Sequence, residues 1–458
     1  MKSYKVSVWK ISVNRTTKKP TYLVRWVVDG ATFGESHKTN ALADRFRAKL
    51  LRAVEKGQPF DTVSGLPDSL RGGKAALTFL DLAVQYLDHR WAETSAKHRD
   101  SMTDALAGVV PVLAKSGRGR PSPELLRRAL RSYVLPLPRR VRERPEEIVA
   151  AVKWIEKASL PVAELLDVAR VHELIDALGR KLDGKAAATQ TYRRRRAVVY
   201  NALAYAVELE ALPSNPLDRV RRKRGKRAVQ EVDRRVVVNP AQARELLVAL
   251  TYVGRYDRAS GRRLRAFFGC LYYAAVRPGE ALGLRRSDCI LPEKGWGRLE
   301  LAETRPTAGK AWTDCGELHD RRGLKQRAEG EVRIVPIPPP LVVLLREHLE
   351  EFGTADDGRL FQSEYGNVVA ASSYSRVWKQ ARELALLPGQ VTSVMAARPY
   401  DLRHAGVSQW LNSGVPAPEV AARAGHSVDV LLKIYAKCID GQEAEMNDRI
   451  MQGLDGTR

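Results

Sequence analysis

Residues 271–289 read LYYAAVRPGEALGLRRSDC, an apolar run that stops at Arg277 and a Pro-Gly break. The apolar part, 267–276, is the longest of its kind in the chain, contains Gly269, and falls well short of the ~18 residues a membrane-spanning helix needs. It therefore reads as a buried helix that delivers one arginine to a helix–helix junction. Arg277 and Glu280 stand at i,i+3, within reach of an ion pair, while Leu282 and Leu284 belong to the core. Working outward, the pattern predicts helices over 240–250, 262–275, 341–352 and 373–386, and strands over 296–301 and 332–336. The unit is mostly α with a small sheet.

Two blocks downstream carry the residues that match this arginine. At 399–406 the sequence is PYDLRHAG, with Arg403 and His404 at the start of a helix continuing through Val407, Trp410 and Leu411. At 424–427 comes AGHS, followed by LLKIYAKC with Tyr435. The nine-residue spacing sets His426 and Tyr435 on adjoining short helices facing one pocket. Two guanidiniums clamp the non-bridging oxygens of a phosphodiester under attack, and an imidazole adds a donor. A tyrosine hydroxyl is a fair nucleophile when cations stabilise its anion, and a lysine can protonate the departing sugar oxygen. The set thus describes phosphoryl transfer without a metal. Taken singly, Tyr435 reads as an interfacial aromatic, His426 as a satisfied core histidine and Arg403 as a partner for Asp401.

The blocks A-x-R-P-G-E-A-L-x-L, L-R-H-A-G, G-H-S and the trailing tyrosine resemble the tyrosine recombinases, in particular phage-type and actinobacterial integrases. The likeness is strong over the C-terminal ~220 residues and looser upstream. By position it implies that Arg277 and Arg403 are the two catalytic arginines, His426 the late His/Trp position and Tyr435 the nucleophile. Lys325, in GLKQRAEGEVRIVPIPPPL, resembles the β-hairpin lysine, with a turn over 326–331 and a returning strand over 332–336; Lys310 lies nearby. One position departs: where the family usually has a histidine, three residues before the second arginine, stands Tyr400. A phenol can donate to phosphate or to Tyr435 but is a poor proton acceptor near neutral pH, so the deprotonation of Tyr435 is left without an obvious agent. His404 occupies a position the family often fills with histidine, where it reads as structural.

Upstream, the first ~60 residues alternate with period two at 4–9 and 22–28, with Asp29-Gly30 as a hairpin turn and 32–35 as a third strand. Asn40 reads as the N-cap of a helix ended by Gly57. Lys18, Lys19, Arg25 and Lys38 suit this sheet to a DNA groove, the other reading being a small β-α module with ordinary surface charge. Residues 58–74 read as a linker, and 77–217 turn helical, with a loop over 115–123. Arg193, Arg194, Arg195 and Arg196 sweep around one helix, so at least one faces away from the core; phosphate contact and a solvated face are both open readings. A second basic run, 219–227, includes Arg221, Arg222, Lys223 and Arg224 and reads as a linker lying along a phosphate backbone, with a nuclear localisation signal and a solvated linker as the other open readings.

The balance of 77 Lys+Arg against 53 Asp+Glu gives +24 in 458 residues, a charge that usually goes with a polyanionic partner. The four cysteines are scattered, the histidines do not pair at ligand spacing, and the N-terminus has no apolar leader, so no metal site, disulfide framework or signal peptide is expected. The resemblance implies a multidomain, mainly α protein with small β-sheets: an arm-binding β-sheet plus helix (1–60), a helical, SAM-like core-binding domain (76–218), a basic linker (219–235), an α+β catalytic domain (236–440) and a helical tail (441–458). It also implies a site-specific recombinase acting through a 3′-phosphotyrosyl intermediate. No cofactor and no membrane contact are expected. The partners would be double-stranded attachment sites, three further copies in a tetramer, and an excisionase or DNA-bending host factor, in a bacterial cytoplasm at the nucleoid. The tail either docks on a neighbouring copy or packs on its own domain. The rivals are a type IB-like topoisomerase, a catalytically silent DNA-binding regulator on the same fold and a metal-dependent transposase, the last lacking a carboxylate cluster.

Overall fold

The computed structural model describes residues 2–14, 20–67, 70, 77–220, 231–255, 257–324, 330–438 and 443–454. Lys18, Lys19, Arg221, Arg222, Lys223, Arg224 and Lys325 lie outside them. The chain forms two compact units. One gathers Met1–Tyr86, Ala105–Leu130 and Arg144–Val220; the other gathers Leu87–Asp104, Arg131–Glu143 and Arg221–Arg458.

The N-terminal sheet is built around its longest strand. Strands β1 (Lys2–Ser3), β2 (Val6–Val8), β3 (Ser12–Asn14), β4 (Thr21–Val28) and β5 (Ala31–His37) precede helix α1 (Asn40–Glu55) and strand β6 (Phe60–Asp61). β2 and β3 share one edge of β4, and β5 takes the other through the Asp29-Gly30 turn. Both turn residues have positive φ, 47° and 86°, the geometry a two-residue hairpin loop requires. Val24, Trp26 and Val28, one face of β4, bury against Ala43, Leu50 and Ala53 of α1.

Two expectations change here. The α1 cap is Thr39, whose extended backbone lets its hydroxyl accept from the Leu42 N–H at 3.3 Å; Asn40 is already helical. Residues 60–61 are not linker. They pair as β6 with β1, and Phe60 is fully buried in the sheet's core, because an aromatic ring two residues after a polar turn gains more from burial than from solvent.

The helical stretch contains α2 (Phe79–Trp91), α3 (Ala96–Val109), α4 (Pro123–Ala129), α5 (Glu146–Ala158), α6 (Val168–Leu178) and α7 (Thr189–Glu208). On α7, Tyr192, Val198, Val199, Ala202, Leu203 and Ala206 are buried, a helical stripe that leaves the arginines on the flanks.

The C-terminal unit opens with α8 (Pro240–Ala249), capped by Asn239 and Gln242 in a reciprocal pair of hydrogen bonds, and α9 (Ala259–Tyr273). Next come α10 (Pro278–Gly283), β7 (Cys289–Ile290), β8 (Gly297–Leu301), β9 (Glu303–Thr304), β10 (Arg322–Gly323) and β11 (Arg333–Ile337). Helices α11 (Pro339–Phe352), α12 (Ala371–Ala385), α13 (Pro388–Val391), α14 (Asp401–Asn412), α15 (Ala417–Ala424), α16 (Val428–Tyr435) and α17 (Glu443–Leu454) complete it. The sheet order is β11-β8-β7, antiparallel, with Arg333 opposite Leu301.

The turn expected over 326–331 lies mostly outside the described residues. β11 returns onto β8, and Arg322–Gly323, as β10, pair with β9, so the strand before Lys325 is not the partner of β11.

Helix α14 is buried on nearly every face, and its close approach to α9 rests on one glycine. A Cβ at Gly406 would stand 2.0 Å from the Tyr272 carbonyl oxygen. Gly406→Ala must therefore push the two helices apart, at a cost of about 1–3 kcal/mol typical of overpacked cores; urea denaturation should show it as a lower midpoint at unchanged slope.

Candidate active site

Arg277 is the residue at which α9 has ended and α10 has yet to begin, extended at φ −76°, ψ 150°. Its backbone N–H and its Nη1 both donate to Glu280, each at 2.8 Å, closing the expected i,i+3 pair. Its Nη2 donates to the Gly425 carbonyl at 2.8 Å. That carbonyl is available because Gly425 ends α15 with φ +65°; a Cβ there would sit 2.1 Å from Arg333 Nη1. Glu280 is 2% exposed and holds a second guanidinium: Arg333 Nη2 and Nη1 donate to it at 2.6 and 3.2 Å. Burial opposes ionisation of Glu280, but Arg333, Arg277 and Arg403 overcome it and hold its pKa down at about 2.

Arg403 is fully buried in the first turn of α14. Its Nη1 donates to the Ala275 carbonyl and its Nη2 to the Ala424 carbonyl at 2.6 Å and to His426 Nε2 at 2.9 Å. Burial lowers its pKa, with Arg277 in the same direction and Tyr400, Glu280 and Tyr435 opposing. His426 is not on a helix, as expected, but in the turn between α15 and α16, because Gly425 ends one helix and the Ser427 side chain caps the next. Since Arg403 can only donate, His426 Nε2 accepts and the proton of the neutral ring is on Nδ1, which is buried with no partner among the described residues. Burial and the surrounding arginines push the His426 pKa down to about 3.

Tyr435, the last residue of α16, is 1% exposed, packed among Val232, Ala275, Val407 and Leu431. Its hydroxyl shares a 2.8 Å hydrogen bond with His404 Nδ1, and its ring lies 6.1 Å from that of His426. Burial raises its pKa well above the ordinary phenol value, against the pull of Arg403. Tyr400, just before α14, sets its ring on edge to His404 at 5.1 Å and has Arg403 Cζ 6.0 Å above it. Arg277, Arg403, His426, Tyr435 and Tyr400 are thus gathered in one place from three stretches of sequence, as the order of motifs implied.

Three participants were not singled out as site residues from sequence. His404, read as structural, touches the Tyr435 hydroxyl. Glu280 was seen only as a partner for Arg277. Arg333 was missed, although the period-two pattern of RIVPI sets it on the same face as Val335 and Ile337, a signal that an arginine there is buried. No group of three His, Cys, Asp or Glu suited to a metal ion occurs among the described residues.

The arginine run of α7 divides. Arg193 and Arg194 are exposed, whereas Arg195 donates to the Arg180 carbonyl at 2.9 Å and Arg196 to that of Leu217 at 3.4 Å.

Comparison with known proteins bears on the same region. The profile of the phage integrase family matches residues 237–440. A tyrosine recombinase XerC-like protein of Caldanaerobacter subterraneus subsp. tengcongensis is 25% identical over 202 residues, 41% of this chain and 49% of that one. A putative prophage phiRv2 integrase of Mycobacterium tuberculosis is 28% identical over 188 residues, 40% of this chain and 44% of that one. The chain thus spans about half the length of these curated relatives. A solved structure of the Tn1549 transposon integrase with transposon right end DNA has a TM-score of 0.49 at 15% identity, covering 82% of this chain and 99% of that one. The matched segment contains Arg277, Arg403, His426 and Tyr435, and over residues 237–440 the chain is similar to the phage integrase family.

Proposed function

We propose that this protein is a site-specific DNA recombinase that cuts and rejoins strands through Tyr435, integrating a phage or other mobile element. The observation that carries the reading is a buried phenol gathered with two arginines and a histidine whose Nδ1–H has no partner among the described residues. In the reaction, Tyr435 Oη attacks the scissile phosphorus and the Oη–P bond forms. The P–O5′ bond breaks with its electron pair on O5′, which takes a proton from Lys325. Arg277, Arg403 and the Nδ1–H of His426 bind the charge that builds on the non-bridging oxygens. The phosphotyrosyl bond keeps the energy of the phosphodiester, so attack by a partner strand's 5′-hydroxyl rejoins DNA without a nucleotide cofactor.

Around this centre, residues 1–60 would bind arm sites and 76–218 the core site, with the exposed Arg193 and Arg194 and the basic linker 219–235 on phosphates. Residues 236–440 would carry the chemistry. The tail would join copies into a tetramer; exposed Ile450, Met451 and Leu454 of α17 supply an apolar surface for it. Among the described residues no helix is long and apolar enough to cross a membrane.

The test is trapping. Duplexes nicked near the cleavage point, drawn from the ends of the element that carries the chain, should give a protein–DNA adduct stable to denaturant, undiminished by EDTA. Adduct formation that needs a divalent ion, or relaxation of any supercoiled plasmid without an attachment site, would count for the rival enzymes.

A further inference from the structure

We infer that His404 is the group that takes the Tyr435 proton, a role shifted one helical turn along α14 from position 400. The inference rests on the recombinase reading and adds to it the agent that position 400 leaves missing. Its basis is geometric. His404 Nδ1 is 2.8 Å from the Tyr435 hydroxyl, and the two rings are 5.6 Å apart. Residues 400 and 404 are i,i+4 neighbours on one face, so a side chain at 404 can serve a group that one at 400 also approaches. The Tyr400 ring meets the imidazole edge-on at 71°, which fixes its plane and its aim at Tyr435.

The charges around His404 are Asp401, Arg403 and Arg398 from its own helix and the turn before it, with Tyr400 beside it and Tyr435 and His426 from the facing segments. Burial, aided by Arg403 and Arg398 and opposed by Asp401, holds His404 down at about 4. The ring is therefore neutral at physiological pH and able to accept. Transfer from a buried phenol to so weak a base is uphill in the free protein. A bound phosphodiester relieves it in two ways: its negative charge favours the imidazolium, and the phenolic proton becomes acidic as the Oη–P bond forms. The accounting closes. The proton leaves Oη for His404 Nδ1, the P–O5′ electron pair goes to O5′, and on rejoining His404 returns the proton to the departing Oη.

Single-turnover cleavage of the nicked duplex separates the possibilities. His404→Ala and His404→Asn should cleave 10²–10⁴-fold more slowly, a range of order set by general-base catalysis, with DNA affinity retained. Their residual rate should rise about tenfold per pH unit between pH 6 and 9, since the proton must then go to hydroxide, while the unaltered protein stays nearly flat. Tyr400→Phe should lose less than either. A 5′-bridging phosphorothiolate, whose thiolate leaves without a proton, should not rescue the His404 variants. Rates within threefold of the unaltered protein, an unchanged pH profile, or rescue by the phosphorothiolate would overturn the role. No adduct from the unaltered protein would instead overturn the recombinase reading, and this inference with it.

Discussion

Tyr435→Phe should abolish covalent attachment to DNA, a loss on the order of 10⁴-fold or more as expected when a nucleophile is removed, while leaving binding to the same duplex unchanged. The reason lies in what the hydroxyl touches. It is a single oxygen on a ring that is otherwise core, packed among aliphatic side chains, and its hydrogen bond is to His404. Removing it deletes one buried hydrogen bond, about 1 kcal/mol, and no volume that the core would collapse into. On the proposed function, binding rests on the arginines, which this substitution leaves in place. Gel-shift and denaturing-gel assays on one nicked duplex measure both effects together. Residual adduct above background would move the nucleophile elsewhere; loss of binding would mean that the hydroxyl organises the whole lobe.

The second large effect is on stability. Glu280→Gln should destabilise the C-terminal unit by about 3–5 kcal/mol, the range for breaking a buried ion pair on one side. The carboxylate accepts from the Arg277 backbone and side chain and from both Arg333 Nη atoms, and Arg333 is itself 3% exposed. An amide offers one acceptor oxygen where two are used and leaves a buried guanidinium uncompensated. The sign with pH follows from the depressed pKa. The Glu280 contribution is complete above the ordinary carboxylate value near 4.5 and is lost as pH falls toward about 2. Thermal melts should therefore show a gap between Glu280→Gln and the unaltered protein that is widest at neutral pH and closes in acid. A gap independent of pH would mean that the carboxylate charge is not what holds the two arginines.

Much of this was legible in the chain. The period-two runs around Asp29-Gly30 gave the hairpin, the apolar run 267–276 gave the buried α9, and the ordered Arg, Arg, His, Tyr set gave the centre. What escaped did so for physical reasons. Phe60 lies in a polar, turn-prone stretch, so its pairing with residues 2–3 is a long-range contact that local pattern does not carry. Arg333 begins a strand, and an arginine at a strand end normally faces water; only its partner 53 residues earlier explains its burial. His404 read as a framework residue because the family often fills that position with a structural histidine, but adjacency in a helix points its side chain away from that of Arg403. That divergence is what lets Arg403 face His426 while His404 faces Tyr435.

Proteolysis and mass spectrometry of the trapped adduct test the central claim most directly. The account predicts a nucleotide linked through its 3′-phosphate to the peptide containing Tyr435, at that residue. A nucleotide carried by any other side chain, or a 5′-phosphate linkage, would contradict it.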